Sequence, residues 1–281
     1  MKSFHIDCEL EYDVAAQTLF IFNIAVPTGF GQHLRSESIA TQPVLPVEEF
    51  HDAGGVNRLL RVNVRPGRFG IRYLAAVDVD PPAVDRQAER IPLATVAPEA
   101  IPYLLSSRYC EVEQLFALAC AEFGQITPGY AQVQAVCAWI RAHIAYRVGS
   151  SSPATTARDV LANKAGVCRD FAHLAVAMCR ALNIPARFVS AYTRYDEPPQ
   201  DFHALFEAHL GGRWLLFDPT ELARIDSIVR IGIGRDAAET AFATFFGSAR
   251  LRRLSPLVEP GDGVPRLVRL QTPSSGVLLV A

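Results

Sequence analysis

What this chain has little of narrows it first. No run of apolar residues approaches a membrane span, and the opening MKSFHIDCELEYDV holds no apolar signal core. There is no excess of one charge: 27 Lys and Arg against 29 Asp and Glu leave a net −2. Nothing in that balance calls for nucleic acid or an anionic membrane surface as a partner. The six cysteines, at 8, 110, 120, 137, 168 and 179, include no CxxC pair. Five lie in apolar or strand-like surroundings, which reads as reduced thiols and makes the cytoplasm the expected compartment. Cys168, His173 and Cys179 share a helical stretch, but their spacing does not build a zinc face.

What is present is the composition of a globular protein, half hydrophobic and one fifth charged. At 281 residues the chain can bury a substantial core and is expected to divide. Residues 1–80 carry strand patterns at 4–12, 19–26, 58–64 and 69–79, punctuated by Pro and Gly, and predict a small all-β N-terminal domain. His5, His33 and His51 are isolated there and read as surface or turn residues. A homo-oligomer or a protein partner could form through this domain. A connector over 81–102, with prolines at 81, 82, 92, 98 and 102, is expected to be extended and on the surface.

Residues 103–236 form the expected catalytic domain. Apolar stripes predict helices over 111–123 and 130–144. Cys110, in Ser107-Arg108-Tyr109-Cys110, reads as structural. The loop 149–156 and the loop 194–200 are candidate cleft rims. Residues 237–281 read as an extension packing on the core or on the N-terminal domain, with a helix over 237–246 and at most two strands after 249. The basic cluster Arg250, Arg252 and Arg253 reads as a solvated or salt-bridged face.

The chemistry concentrates around Gly166-Val167-Cys168-Arg169-Asp170-Phe171-Ala172-His173-Leu174. Residues 168–182 are apolar almost all the way round, which predicts a buried helix. Asn183 can close it and Pro185 forbids its continuation. Gly166 permits a sharp turn before it. Cys168 then lies in the first turn, where unpaired N–H groups and the helix dipole favour a thiolate and should lower the thiol pKa. Downstream, 203–210 and 213–218 flank Gly211-Gly212, a two-residue hairpin signal. That turn sets Leu210 opposite Arg213 and His203 opposite Thr220. His203, Asp218 and Thr220 then project to one face, with Asp218 diagonal to His203. Cys, His and Asp are the parts of a thiol nucleophile with its base and orienting acid.

The blocks GVCRDFAHLAVAMCRALNIPARFVSAY and DFHALFEAHLGGRWLLFDPT resemble the transglutaminase-like superfamily, especially bacterial members labelled as candidate cysteine proteases. The resemblance spans roughly 130–236. It implies an α+β, papain-like core of helices packed on an antiparallel sheet, behind a small β domain. By position it implies Cys168 as nucleophile, His203 as base, Asp218 as orienting carboxylate and Tyr146 as an oxyanion contributor beside the Cys168 N–H. It implies no metal and no organic cofactor. Leu205 departs from the aromatic residue that usually lies two after the histidine, a lean towards hydrolysis.

The expected activity is acyl transfer through a Cys168 thioester that hydrolyses an amide of a peptide or protein. Transamidation by the same acyl-enzyme and an idle protein-binding module are the alternatives. Iodoacetamide near neutral pH should label Cys168 faster than the other five cysteines. Peptide mapping by mass spectrometry checks this, and equal labelling of all six contradicts it.

Overall fold

A computed structural model describes residues 1–80, 84–195 and 199–261. Pro81 and Pro82 of the connector, the middle of the 194–200 loop and the tail beyond 261 lie outside the described residues.

The N-terminal strands follow from alternation. In β1 (Lys2–Val14) every second side chain from Phe4 to Val14 is buried, and β6 (Gly67–Val79) repeats the pattern from Phe69 to Val79. With β2 (Thr18–Phe22), β3 (Gln32–Gln42), β4 (Glu48–His51) and β5 (Arg58–Val64) they build two four-stranded sheets. Each sheet is completed by a strand from the far end of the chain. β13 (Ala243–Phe246) pairs with β2, and β14 (Ala249–Pro260) pairs with β1. Residues 237–246 are therefore not one helix: a single turn, Ala237–Thr240, gives way to β13. Thr244 and the aromatic pair Phe245-Phe246 suit a strand whose face packs on Tyr12 and Phe20, with ring centroids 6.4 and 5.5 Å from Phe245. Arg250 and Arg252 pair with Asp13, and Arg253 with Glu9 and Glu11, so the basic cluster is a salt-bridged face.

The connector is less extended than its prolines suggest. It coils into 3-10 turns at Leu93–Thr95 and Pro98–Leu104, with Pro98 at a helix start, where a missing N–H costs nothing. Beyond it come α1 (Val112–Phe123), α2 (Tyr130–His143), the two-residue strand β7 (Ala145–Tyr146), α3 (Ala157–Asn163), β8 (Ala165–Gly166) and α4 (Cys168–Ala181). A third sheet then runs in the order β11-β10-β9-β12, from β9 (Ala186–Tyr192), β10 (His203–Leu210), β11 (Arg213–Phe217) and β12 (Val229–Gly234).

α4 is buried from Asp170 onward, as a helix apolar on every side must be. One face of the third sheet packs on it through Phe206, Ala208, Leu210, Leu215 and Phe217. The same sheet touches the β sandwich: Tyr192, Val229 and Ile231 join the sandwich core. Two amides bind the edge strand β12. Asn57 pairs with both backbone groups of Ile233, at 2.8 and 2.9 Å, and Gln32 pairs with those of Arg230, at 2.5 and 3.2 Å. An open sheet edge is thereby closed by side chains.

Within the sandwich, Phe20 is fully buried and stacks on Phe22 at 5.3 Å. Phe20→Ala should cost about 3–5 kcal/mol in urea denaturation. Phe246→Ala, at a residue 65% exposed, should change stability by no more than about 0.5 kcal/mol.

Candidate active site

α4 positions the sulfur. Its first turn is shaped by Asp170, whose Oδ2 accepts the Val167 N–H at 2.8 Å. A Cβ on Gly166 would lie 2.7 Å from the Asp170 Cβ, so glycine is needed there for space beside the cap. Asn183, in the left-handed region at φ 60°, closes the far end, and Leu182 N–H donates to the Met178 carbonyl at 3.1 Å. Cys168 is partly exposed at the head of this otherwise buried helix, and its thiol faces the Phe202 carbonyl at 3.9 Å.

The hairpin brings the other two side chains. Gly211 and Gly212, at φ 55° and 78°, make the tight turn, and the ladder runs from Leu210–Arg213 to Phe206–Phe217. The register is the expected one, but the ladder ends before His203 and Thr220. There Asp218 leaves the strand to accept the Thr220 N–H at 2.9 Å, the Thr220 hydroxyl at 2.7 Å and the Ala223 N–H at 3.0 Å. Its Oδ2 also meets His203 Nε2 at 2.9 Å, with both side chains nearly fully buried. His203 Nδ1 has no hydrogen-bond partner among the described residues, while the imidazole and the Cys168 thiol interact. Asp218 and His203 thus form a buried pair that leaves Nδ1 without a partner, and Cys168 is a neighbour of the same imidazole.

The electrostatics reinforce this pairing. Burial disfavours the His203 imidazolium, but the hydrogen bond to Asp218 and the interaction with Cys168 outweigh it and raise the imidazole to about 10. Burial also opposes the Asp218 carboxylate, yet His203 and Thr220 hold its pKa below the ordinary value. Cys8, Cys110 and Cys137 are fully buried, which pushes each thiol up to about 12, and burial likewise raises Cys179. Cys120 alone among the others is exposed. His173 is not part of this group. It is sealed between Tyr109 and Phe188, driven down to about 3 by burial, and accepts the Ala237 N–H at 3.1 Å as a neutral ring.

Tyr146 sits beside the sulfur. β7 and β8 pair in parallel with Tyr146 opposite Gly166, and the Tyr146 phenol faces the Cys168 N–H and thiol. Burial and the sulfur both raise its pKa. Leu205 is fully buried with Val189, Ala191, Leu216 and Ile228, so it sets the position of β10 rather than a cleft wall. The 149–156 loop is tied to the residue after the cysteine, through Arg169 to the Ser152 carbonyl at 2.6 Å.

Two neighbours escaped the sequence reading. Tyr195 packs edge-on to His203 at 5.6 Å, and its hydroxyl binds both backbone groups of Asp201, at 3.0 and 3.1 Å. The Asp201 carboxylate accepts the Phe202 N–H at 2.7 Å, and burial raises it to about 6 against that hydrogen bond and the His203 charge. Asp201 stood in the Asp201-Phe202-His203 block, but no spacing rule gives it a role.

The His203–Asp218 pair has a definite pH window. The raised His203 contributes stability in full below its unfolded value of 6.5, and this is lost as pH climbs through about 10. The lowered Asp218 contributes above its unfolded value of 3.8, and this is lost as pH falls through its folded value. In an NMR titration of ring nitrogens, His203 should remain protonated through neutral pH, and Asp218→Asn should bring its pKa down. An unmoved His203 titration in that variant contradicts the pairing.

Comparison with known proteins follows the same outline. Residues 1–97 match the bacterial transglutaminase N-terminal domain and residues 119–219 the transglutaminase-like superfamily core. A crystal structure of a "Putative Cysteine Protease" from Cytophaga hutchinsonii is 38% identical, covers 94% of this chain and 92% of its own, and superposes with a TM-score of 0.89. An uncharacterized protein of Mycobacterium leprae is 33% identical over 120 residues, which is 39% of this chain and 42% of the relative. One from Mycobacterium tuberculosis H37Rv is 35% identical over 108 residues, 34% of each chain. The chain thus spans well under half the length of those mycobacterial relatives. With both parts matched in order and the fold shared end to end, the chain belongs to the transglutaminase-like superfamily.

Proposed function

We propose that the protein is a thiol acyl-transfer enzyme that cleaves an amide of a peptide or protein through a thioester on Cys168. The observation that carries this reading is the alignment of Asp218, His203 and the Cys168 thiol at the head of α4.

In the proposed cycle the proton shared by Cys168 and His203 already rests on His203 Nδ1, and the Cys168 sulfur bonds to the amide carbonyl carbon. Asp218 holds Nε2–H throughout, which leaves Nδ1 for the proton exchanged with the sulfur. The carbonyl oxygen takes up negative charge beside the Cys168 N–H and the Tyr146 phenol. The carbon–nitrogen bond then breaks, and the imidazolium gives its proton to the departing amine. Water attacks the thioester carbon, His203 takes one of its protons, and the carbon–sulfur bond breaks to release the acid and restore the starting pair, with the proton on His203. An amine in place of that water would give transamidation.

The similarity to a protein described as a cysteine protease supports the hydrolytic form. The hydrolytic reading keeps the substrate class at amides.

Cys168→Ala should abolish turnover of amide or peptide substrates while leaving circular dichroism unchanged. Asp218→Asn should lower kcat by about 10²–10⁴, since the imidazole loses its orienting partner. Cys8→Ser, at a buried strand residue, should leave kcat within about twofold. Retained turnover in a folded Cys168→Ala protein excludes the mechanism.

A further inference from the structure

We propose that Tyr195 is a positioning residue for the thiol chemistry, its hydroxyl standing in for a strand that has stopped and so holding His203 and the Phe202 carbonyl before Cys168. This rests on the thiol acyl-transfer reading and adds what keeps the base in place.

His203 is the first residue of β10, and its partner on β9 is Ala191. The same register carried two residues further would set Asp201 opposite Thr193. Thr193 is engaged elsewhere. Its carbonyl accepts the Gln200 side chain at 3.1 Å, and its hydroxyl donates to the Ser227 carbonyl at 3.3 Å. The ladder therefore ends at His203, and the end of a ladder is where a strand frays. Tyr195 mends that end. Its hydroxyl accepts the Asp201 N–H at 3.0 Å and donates to the Asp201 carbonyl at 3.1 Å, the two bonds a neighbouring strand would have made.

The mend lies where the chemistry needs it. Asp201 is two residues before His203, and between them the Phe202 carbonyl faces the Cys168 thiol at 3.9 Å. The Tyr195 ring itself meets the imidazole edge-on, with centroids 5.6 Å apart. Asp218 fixes one nitrogen of the ring at 2.9 Å. Tyr195 fixes the backbone that carries the ring. Without the hydroxyl, this lead-in is held by the Phe202 ring against Phe242 and Tyr192, which anchors a side chain and not the main chain. The bond from the Phe202 N–H to the Asp201 carboxylate would move with the segment. A shift of about 1 Å in a reacting group costs on the order of a hundredfold in rate.

The test compares the native protein with Tyr195→Phe, which keeps the ring and deletes the hydroxyl. Circular dichroism first establishes that the variant is folded. Iodoacetamide labelling of Cys168 near neutral pH is divided by labelling of exposed Cys120 in the same molecule. The ratio should fall about tenfold in Tyr195→Phe, because a displaced imidazole no longer draws the thiol proton. In an NMR titration the His203 ring, raised to about 10 against its burial by Asp218 and Cys168, should titrate about one pH unit lower in the variant. A role confined to stability would lower the melting temperature and leave both readings in place, which overturns the proposal. Hydrogen exchange at the native Asp201 amide needs no variant. Slow exchange is expected of an N–H bound by a buried hydroxyl, and exchange at the rate of an unfolded chain overturns the proposal even where Tyr195→Phe fails to fold. Native Cys168 labelled no faster than Cys120 overturns the thiol reading itself, and this proposal with it.

Discussion

The hydrogen bond between His203 Nε2 and Asp218 Oδ2, sealed from water at the end of a hairpin, is the constraint on which the site depends. An imidazole can present either nitrogen to a neighbour, and an unpaired one rotates. Asp218 removes that freedom because its own two oxygens are held by Thr220 and Ala223. The fixed carboxylate fixes the ring and leaves Nδ1 without a partner. Removing either partner would strand a buried charge, which is why the pair is worth more together than the separate groups suggest.

The rest of the molecule brings this hairpin against the head of α4. The third sheet is pressed from both sides. α4 supplies the apolar side chains on one face, and the β sandwich holds Tyr192, Val229 and Ile231 while its amides close the β12 edge. Phe202 shows the coupling most directly. Its ring lies against Phe242 and Tyr192, at 5.0 and 5.4 Å, while its carbonyl faces the Cys168 thiol and its neighbour is His203. The sandwich therefore bears on the site through the strand that carries the histidine, without contributing a reacting group.

Local rules read some of this well. The helix over 168–182, with its Asn183 and Pro185 stop, follows from apolar residues on every side. The hairpin register follows from Gly211-Gly212, which admits one tight turn. The all-β character of the first 80 residues follows from alternation. Other features depend on contacts distant in sequence. Residues 237–246 have helical composition, yet β2 offers an open edge that recruits 243–246 as a strand. Gly166 looks like a turn glycine, but its purpose is to clear the Asp170 side chain. Tyr195 and Asp201 matter through their mutual hydrogen bonds and their distance from His203, and neither is encoded by a spacing. The ladder's early end at Phe206–Phe217 arises from the Asp218 turn and not from strand pairing.

The two C-terminal strands have a bearing on how the chain comes off the ribosome. β1 and β2 are each flanked in the finished protein by a neighbour more than two hundred residues away, β14 and β13. During synthesis both early sheets therefore lack these neighbours until residues 243–260 have emerged. These closing contacts span more than two hundred residues, and such non-local pairing is slow to form. A chaperone that shields bare strand edges would find its longest opportunity here, on the nascent form and not on the mature one.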